Sequence, residues 1–201
     1  MGAVAGVAAC VTSERLLARY GDGGLLGRRG ARLGVGAAAV GVALLGGYVG
    51  WREGSWALAL AAVVLTGICL AVSVIDLRVR RIPNVLVAAL AVWALVQGQI
   101  LDEPDLASAL LGGLVGGGIF ALLFVLGRGA MGAGDVKFVA ASGLLLGYPL
   151  ILGAMLGGIL FGGLAALALL VTGRAGRKDA IAYGPYLALG VWVVWIRWFL
   201  L

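Results

Sequence analysis

The residues of this sequence best suited to chemistry are two aspartates at the ends of apolar runs. Asp76 closes one such run, and Asp135 stands in the glycine-rich segment Gly132-Ala133-Gly134-Asp135-Val136-Lys137, just before another. If the two carboxylates come within hydrogen-bond reach, like-charge repulsion raises one pKa until the pair holds a single proton. The ionised member can then act as general base on water while the protonated member donates to a carbonyl. Such a pair can hydrolyse a peptide bond.

Other kinds of acid-base site are poorly supported by the composition. The chain has no histidine, which excludes histidine-based triads, metal motifs and imidazole proton relays. Cys10 and Cys69 lie in apolar stretches without a Cys-x-x-Cys pattern, so neither a disulfide framework nor a zinc site is indicated. We therefore predict no metal and no cofactor, and acid-base chemistry that rests on carboxylates.

Each aspartate also has a purely structural interpretation. Asp135 could cap a helix that begins near Val136, with its charge at the helix N-terminus. Asp76 could form an ion pair with one of the arginines within residues 78–81. Both interpretations stay open at the level of the sequence.

The residues around the two aspartates favour turns. Gly132 and Gly134 remove side chains near Asp135, so another backbone could approach it, such as an extended peptide substrate held by main-chain hydrogen bonds. Pro83 and Asn84 mark a break before the next helix, because proline disfavours helical conformation at the residue before it.

The composition predicts a membrane protein. With 63% hydrophobic and 12% charged residues, the chain is expected to be an all-α, polytopic transmembrane bundle of about seven spans plus a partial N-terminal one. The fifth span is too short to cross the bilayer unless the glycine-rich turn extends it. The predicted spans are 34–50, 56–76, 84–100, 106–127, 138–147, 150–171 and 183–201.

The N-terminal part is predicted to differ from the rest. Residues 2–12 are apolar but too short for a full span, and residues 13–33 are polar, glycine-rich and basic. We therefore divide the chain into 1–33, a partial span with a short basic cytoplasmic loop, and 34–201, the membrane domain that carries both aspartates.

The net charge of +6 indicates topology rather than a nucleic-acid partner. Thirteen of the 15 basic residues fall in alternate loops, and Glu53, Asp102, Glu103 and Asp105 fall on the other side with Arg52 and Arg197. By the positive-inside rule, the basic loops and both aspartates are cytoplasmic in a plasma (inner) membrane protein. The thirteen are Arg15, Arg19, Arg28, Arg29, Arg32, Arg78, Arg80, Arg81, Arg128, Lys137, Arg174, Arg177 and Lys178.

Small and aromatic residues indicate how the spans pack. Pairs of glycines at four-residue spacing, such as Gly112 with Gly116 and Gly158 with Gly162, predict close helix contacts. Five of the six tryptophans are interpreted as anchors at the outer interface. They are Trp51, Trp56, Trp192, Trp195 and Trp198. Beyond Thr66, Ser73 and Ser142, the spans contain almost no polar residues, which argues against a transporter.

Three segments resemble the type IV prepilin peptidases, membrane aspartic proteases with a Gly-x-Gly-Asp motif. They are Asp76 with Ile82-Pro83-Asn84, the segment 132–137, and Ile181-Ala182-Tyr183-Gly184-Pro185-Tyr186-Leu187-Ala188. The resemblance implies the fold of the Gly-x-Gly-Asp membrane aspartic proteases, with Asp76 and Asp135 as the catalytic pair. It also implies that the substrate is a prepilin or pseudopilin precursor, which is cleaved after a short basic leader. Substrate-binding or loop-shaping roles are expected for Gly132, Gly134, Lys137, Pro83, Asn84, Gly184 and Pro185.

The sequence departs from this family in two places. Ala182 stands where the family commonly has proline, and residues 13–33 contain no cysteine, whereas bifunctional members carry paired Cys-x-x-Cys motifs and also methylate the new N-terminus. A peptidase without methyltransferase activity is therefore expected.

Two other classes of function remain as alternatives. One is a non-enzymatic pilus-assembly scaffold or transporter, and the other is a broader intramembrane protease that cuts inside helices. As a further hypothesis, a substrate-free protein would hold the aspartates too far apart to share a proton.

Overall fold

The computed structural model describes residues 28–127, 131–173 and 182–200, and in these ranges the chain is helical, without β-strands. The prediction of an all-α polytopic protein is confirmed. Residues 2–12, with Cys10, lie outside the described residues. The seven helices are α1 (Arg28–Glu53), α2 (Trp56–Val79), α3 (Asn84–Leu101), α4 (Leu106–Leu126), α5 (Ala133–Leu146), α6 (Leu150–Val171) and α7 (Gly184–Leu200).

The helices match most predicted spans. Four of them, α2, α3, α4 and α6, are long and apolar enough to cross a membrane. The first helix begins at Arg28 and not at residue 34, so the last residues of the predicted basic loop 13–33 are helical. The division of the chain at residue 33 stays a prediction.

The fifth span differs from its prediction at 138–147. Helix α5 begins at Ala133, inside the glycine-rich motif, because the backbone N–H of Asp135 donates to the carbonyl of Gly132 and closes the first turn there. It ends at Gly147, whose positive φ of 73° favours glycine. The motif is thus the first turn of a 14-residue helix and not a loop before it.

The turn that follows α5 is held by hydrogen bonds to α4, at the end of the bundle away from Asp135. Ser108 in the first turn of α4 accepts a backbone hydrogen bond from Tyr148 at 3.0 Å, and its hydroxyl donates to the Tyr148 carbonyl at 2.9 Å. Helix α5 therefore runs antiparallel to α4, from the end of the bundle that carries Asp135 to the end that carries Ser108. Helix α3 packs on α5 as well.

Close backbone approach holds α5 against α4. A Cβ atom added at Gly143 would collide with the backbone of Gly112, and one added at Gly112 would collide with that of Gly143. Gly190 of α7 meets Ala154 and Gly158 of α6 in the same way. The predicted role of glycine spacing is confirmed at Gly112 and Gly158.

The tryptophans divide into two groups, and the anchor interpretation is wrong for Trp195. Trp51 and Trp56 are 83% and 74% exposed, as expected of anchors. Trp195 is wholly buried, and its indole N–H donates to the side chain of Gln97, whose amide N–H donates to the carbonyl of Leu145. A buried indole needs such a partner. The sequence reasoning overlooked Gln97 among the polar residues of the spans.

We predict that Gly143→Ala destabilises the protein, because the new methyl group has no room beside Gly112. The expected loss is about 1–3 kcal/mol, the usual range for overpacking. It is measured as a lower thermal unfolding temperature of the purified protein in detergent. Gly118→Ala is the matched control, since nothing lies within 4 Å of a Cβ added there. Equal unfolding temperatures for Gly143→Ala and its parent would contradict the prediction.

Candidate active site

Asp76 lies in the last turn of α2 and is 5% exposed. Its Oδ2 accepts a hydrogen bond from the backbone N–H of Gly184 at 2.8 Å, at the start of α7. The chain leaves the helix immediately afterwards, with Arg80 in the left-handed conformation at φ 53°. The carboxylate therefore points across the bundle to the N-terminus of another helix.

The ion-pair interpretation of Asp76 is not supported. Among residues 40–127, 131–173 and 182–199, whose side chains the structure describes, the only salt bridge joins Arg52 to Glu53. Asp76 is held instead by a neutral backbone donor at a helix N-terminus, a position that favours negative charge.

Asp135 is held in a similar way at the start of α5. Its Oδ2 accepts from the backbone N–H of Gly132 at 3.1 Å, and the residue is 8% exposed. The capping interpretation is therefore confirmed, although the helix begins at Ala133 and not near Val136. Capping occupies one oxygen of a carboxylate that has two, so it is compatible with chemistry at the other.

The two aspartate-bearing segments touch each other. A Cβ added at Gly134 would lie 3.2 Å from the Cβ of Ile82 and 3.5 Å from its backbone N and O. Lys137, two residues after Asp135, donates from Nζ to Oδ1 of Asn84 at 3.2 Å. The backbone that approaches Gly134 is thus the chain's own, whereas the sequence pattern suggested that a substrate would approach there.

Burial and charge act together on the pKa of Asp135. Burial raises it most, the hydrogen bond from Gly132 lowers it, and the negative charge of Asp76 raises it further, with a result of about 6. Asp135 lies in the first turn of α5, which is not one of the four helices long enough to span the membrane. The charge of Asp76 thus contributes to the raised pKa of Asp135.

Gly184 is required next to Asp76 for steric reasons. A Cβ at this position would lie 2.8 Å from Oδ2 of Asp76, so a side chain would disturb the close contact between that oxygen and the backbone N–H of Gly184. Pro185 follows in the first turn of α7, where a missing N–H leaves no helical hydrogen bond unmade. The loop-shaping role expected for these two residues thus has a physical basis.

Tyr183 is a neighbour of the site that sequence reasoning did not assign. Burial raises the pKa of its hydroxyl, and the negative charge of Asp135 raises it further. The residue directly precedes Gly184, so it also stands next to the contact with Asp76. The signal available in the sequence was its place in the segment 181–188, directly before Gly184 and Pro185.

A cavity of about 170 Å³ opens beside the end of α2. Its lining combines aliphatic side chains and a proline with an arginine and an asparagine. Its lining residues are Ile75, Val79, Arg81, Ile82, Pro83 and Asn84. Nowhere in the described residues do three His, Cys, Asp or Glu side chains lie close enough together to hold a metal ion. That the site works without metal or cofactor stays a prediction.

Comparison with known proteins gives the family of this chain. Residues 63–167 match the family model described as the type IV leader peptidase family. The match covers more than half of the chain and includes both aspartates. The chain belongs to the type IV leader peptidase family. Gly184, Pro185 and Tyr183 lie beyond the matched range, although Gly184 contacts Asp76 directly.

Curated relatives of this leader peptidase family member carry the name "Prepilin leader peptidase/N-methyltransferase". Those from Pseudomonas aeruginosa and Stutzerimonas stutzeri are each 33% identical over 156 residues, which is 75% of this chain and 54% of the relative. The one from Aeromonas hydrophila is 28% identical over 152 residues, or 70% and 52% of the two chains. The chain spans about half the length of the curated relatives it matches. No solved structure matches it.

We predict that Asp76→Asn lowers the pKa of Asp135 below about 6. The substitution removes a neighbouring negative charge that disfavours ionisation of Asp135. The pKa is measured by NMR titration of ¹³C-aspartate-labelled protein in detergent, with Asp135→Asn to assign the resonance. Asp102→Asn, in the turn between α3 and α4, should leave the titration unchanged. An Asp135 pKa that is equal in Asp76→Asn and parent would show that the two carboxylates do not interact.

Proposed function

We propose that this protein is a membrane aspartic endopeptidase that removes the leader from type IV pilin-like precursors, with Asp76 and Asp135 as its catalytic pair. The observation that supports the proposal is that two nearly buried carboxylates, each anchored by one backbone N–H, lie at the same end of the bundle, where the charge of Asp76 raises the pKa of Asp135. Membership of the type IV leader peptidase family and the names of the relatives support the substrate class.

The reaction follows from a pair that shares one proton. The ionised carboxylate removes a proton from water as the oxygen attacks the carbonyl carbon, and the protonated carboxyl gives its proton to the carbonyl oxygen. The tetrahedral intermediate then collapses: the C–N bond breaks, the leaving amine takes a proton from the dyad, and a hydroxyl of the intermediate returns a proton to the dyad as the carbonyl re-forms. The proton belongs to the pair, so neither aspartate is assigned a fixed role.

The surroundings of the pair suit a peptide entering from the end of the bundle. The cavity beside α2 adjoins Asp76 through Ile75, and its aliphatic and polar lining residues can accept a substrate side chain. Gly132 has no side chain next to the carboxylate of Asp135, which leaves that side open to an extended peptide.

We also propose that the site faces the cytoplasm in the plasma membrane. The C-terminus of α2 and the N-termini of α5 and α7 meet at one end of the bundle, where Arg78, Arg80 and Lys137 are found. The acidic residues between α3 and α4 lie at the other end, near Ser108 and Tyr148. The positive-inside rule places the basic end in the cytoplasm.

The alternative functions differ in whether they need the two aspartates and in where they would cut a substrate. A scaffold or transporter needs no catalytic pair, and would keep its function when the aspartates become asparagines. A broader intramembrane protease would cut inside an apolar helix, whereas both carboxylates here lie at helix ends. The position of the pair therefore favours cleavage at a juxtamembrane bond.

We predict that Asp76→Asn and Asp135→Asn each reduce cleavage of a prepilin by purified protein at least about 100-fold, because each removes one partner in acid-base catalysis. Release of the leader is followed by mass spectrometry. Asp102→Asn is the matched control, since Asp102 has a positive φ of 55° that asparagine also tolerates.

The outcome separates the hypotheses. Parental rates in both dyad variants, or a parent that leaves prepilin intact, would exclude the proposed peptidase. Cleavage within the apolar helix of the substrate would favour the broader protease.

We further predict that Lys137 acts by fixing the two aspartate segments relative to each other through Asn84. Lys137→Met removes the hydrogen bond to Oδ1 of Asn84 and should lower kcat about 10-fold, whereas Lys137→Arg should retain most activity. In the background of Asn84→Ala, Lys137→Met should have little further effect, because its partner is already absent. Arg78→Met, at an exposed position on α2, is the control. Additive losses in the double variant would contradict the coupling.

A further inference from the structure

The hydroxyl groups within the apolar helices have different kinds of partner. Ser73 donates to the carbonyl of Cys69 at 2.7 Å, and Ser142 donates to that of Phe138 at 2.8 Å. Each of these bonds returns to the preceding turn of the same helix and makes no demand on a neighbouring one. Thr66 differs, because its hydroxyl oxygen accepts a hydrogen bond from another helix.

The partner of Thr66 is the indole of Trp192 on α7, whose N–H donates to the threonine oxygen at 2.9 Å. Thr66 lies near the middle of α2, away from both ends of that span. An indole N–H without a partner is costly in apolar surroundings, where water cannot replace the lost bond. The contact therefore favours one particular position of α7 along α2.

A second hydrogen bond joins the same two helices at the candidate active site, where Gly184 donates to Asp76 at 2.8 Å. Thr66 precedes Asp76 by ten residues, or about 15 Å along α2. Trp192 follows Gly184 by eight residues, or about 12 Å along α7. The two contacts are thus separated by similar distances on antiparallel helices, so a shift of α7 along α2 would lengthen both.

Two further indoles join α7 to other parts of the bundle. Trp195 donates to Gln97 of α3 at 3.0 Å. Trp198 donates to Glu103, in the turn after α3, at 2.9 Å. Neither bond reaches α2, so both leave the position of α7 along α2 to the contact at Thr66.

We propose that Thr66 is a positioning residue of the candidate active site, which sets through Trp192 where α7 lies along α2. The N–H of Gly184 is thereby kept on Oδ2 of Asp76, which orients the carboxylate and leaves its other oxygen for the reaction. This inference rests on the proposed peptidase function, in which Asp76 belongs to the catalytic pair. Thr66 acts from about 15 Å along the helix, so it is not itself a catalytic group.

Thr66→Val tests the contact, because it removes the acceptor and keeps a β-branched side chain of similar shape. We expect the amide proton resonance of Gly184 to move upfield, since its bond to the carboxylate lengthens. The resonance is observed by NMR in protein with ¹⁵N-glycine and ¹³C-carbonyl tyrosine, which selects the Tyr–Gly pairs at 20–21 and 183–184. Tyr20→Phe removes the first pair and so assigns the second.

The same variant is tested for cleavage of prepilin. We expect Thr66→Val to lower kcat about 10-fold, because a misplaced carboxylate reacts less readily with a bound substrate. KM should change less than about threefold, since the change lies in the reacting group and not in the binding of the substrate.

Two variants of α2 are matched controls. Thr66→Ser keeps the hydroxyl, and should retain the parental resonance and most of the activity. Ser73→Ala removes a hydroxyl whose bond lies within α2, only three residues from Asp76, and should leave both unchanged. If Thr66→Val does not fold, Trp192→Phe removes the donor instead and should shift the same resonance upfield.

The results distinguish failure of the inference from failure of the proposed function. An unchanged Gly184 resonance in folded Thr66→Val would overturn the inference, whether or not the protein cleaves prepilin. An equal shift in Ser73→Ala would overturn it too, because that hydroxyl makes no contact with α7. A shifted resonance with parental kcat, in a protein that cleaves prepilin, would refute the effect on catalysis. A parent that leaves prepilin intact refutes the proposed function, and the resonance alone then decides whether Thr66 positions Gly184.

Discussion

The arrangement of this bundle depends on the attraction between carboxylates and the N-termini of helices. Asp76 accepts the first N–H of α7, and Asp135 accepts an N–H at the start of its own helix α5. A helix N-terminus offers unpaired N–H groups and a partial positive charge. Two carboxylates can therefore stay nearly buried at the same end of an apolar bundle, although they repel each other.

Packing around the site keeps these contacts short. Gly184 permits the close approach of α7 to Asp76, and Gly134 permits that of Ile82 to α5. Lys137 and Asn84 join the same two segments by a side-chain hydrogen bond at their exposed edge. Glycine at the first two contacts, and a long polar side chain at the third, determine how closely the segments around Asp76 and Asp135 pack together.

Much of this could be predicted from the sequence, because its strongest signals are local. Long apolar runs predicted the helices, and the charged residues at their ends predicted where Asp76 and Asp135 would lie. The start of α5 was mispredicted, since glycines usually indicate a loop, whereas hydrogen bonds to Gly132 stabilise a helical turn here. The burial of Trp195 was missed because its partner, Gln97, is 98 residues away in the chain. Contacts between distant residues, including that of Gly184 with Asp76, leave no trace in local patterns.

The length of α5 has a consequence for the depth of the site. A 14-residue helix is about 21 Å long, and the hydrocarbon core of a bilayer is about 30 Å thick. Such hydrophobic mismatch normally thins the surrounding lipid or tilts the helix. Here α5 is enclosed by longer neighbours, with Phe138 and Leu145 wholly buried, and is joined to α4 through Gly112 and Gly143. The longer helices meet the lipid, so they and not α5 set how far Asp135 lies from the membrane surface.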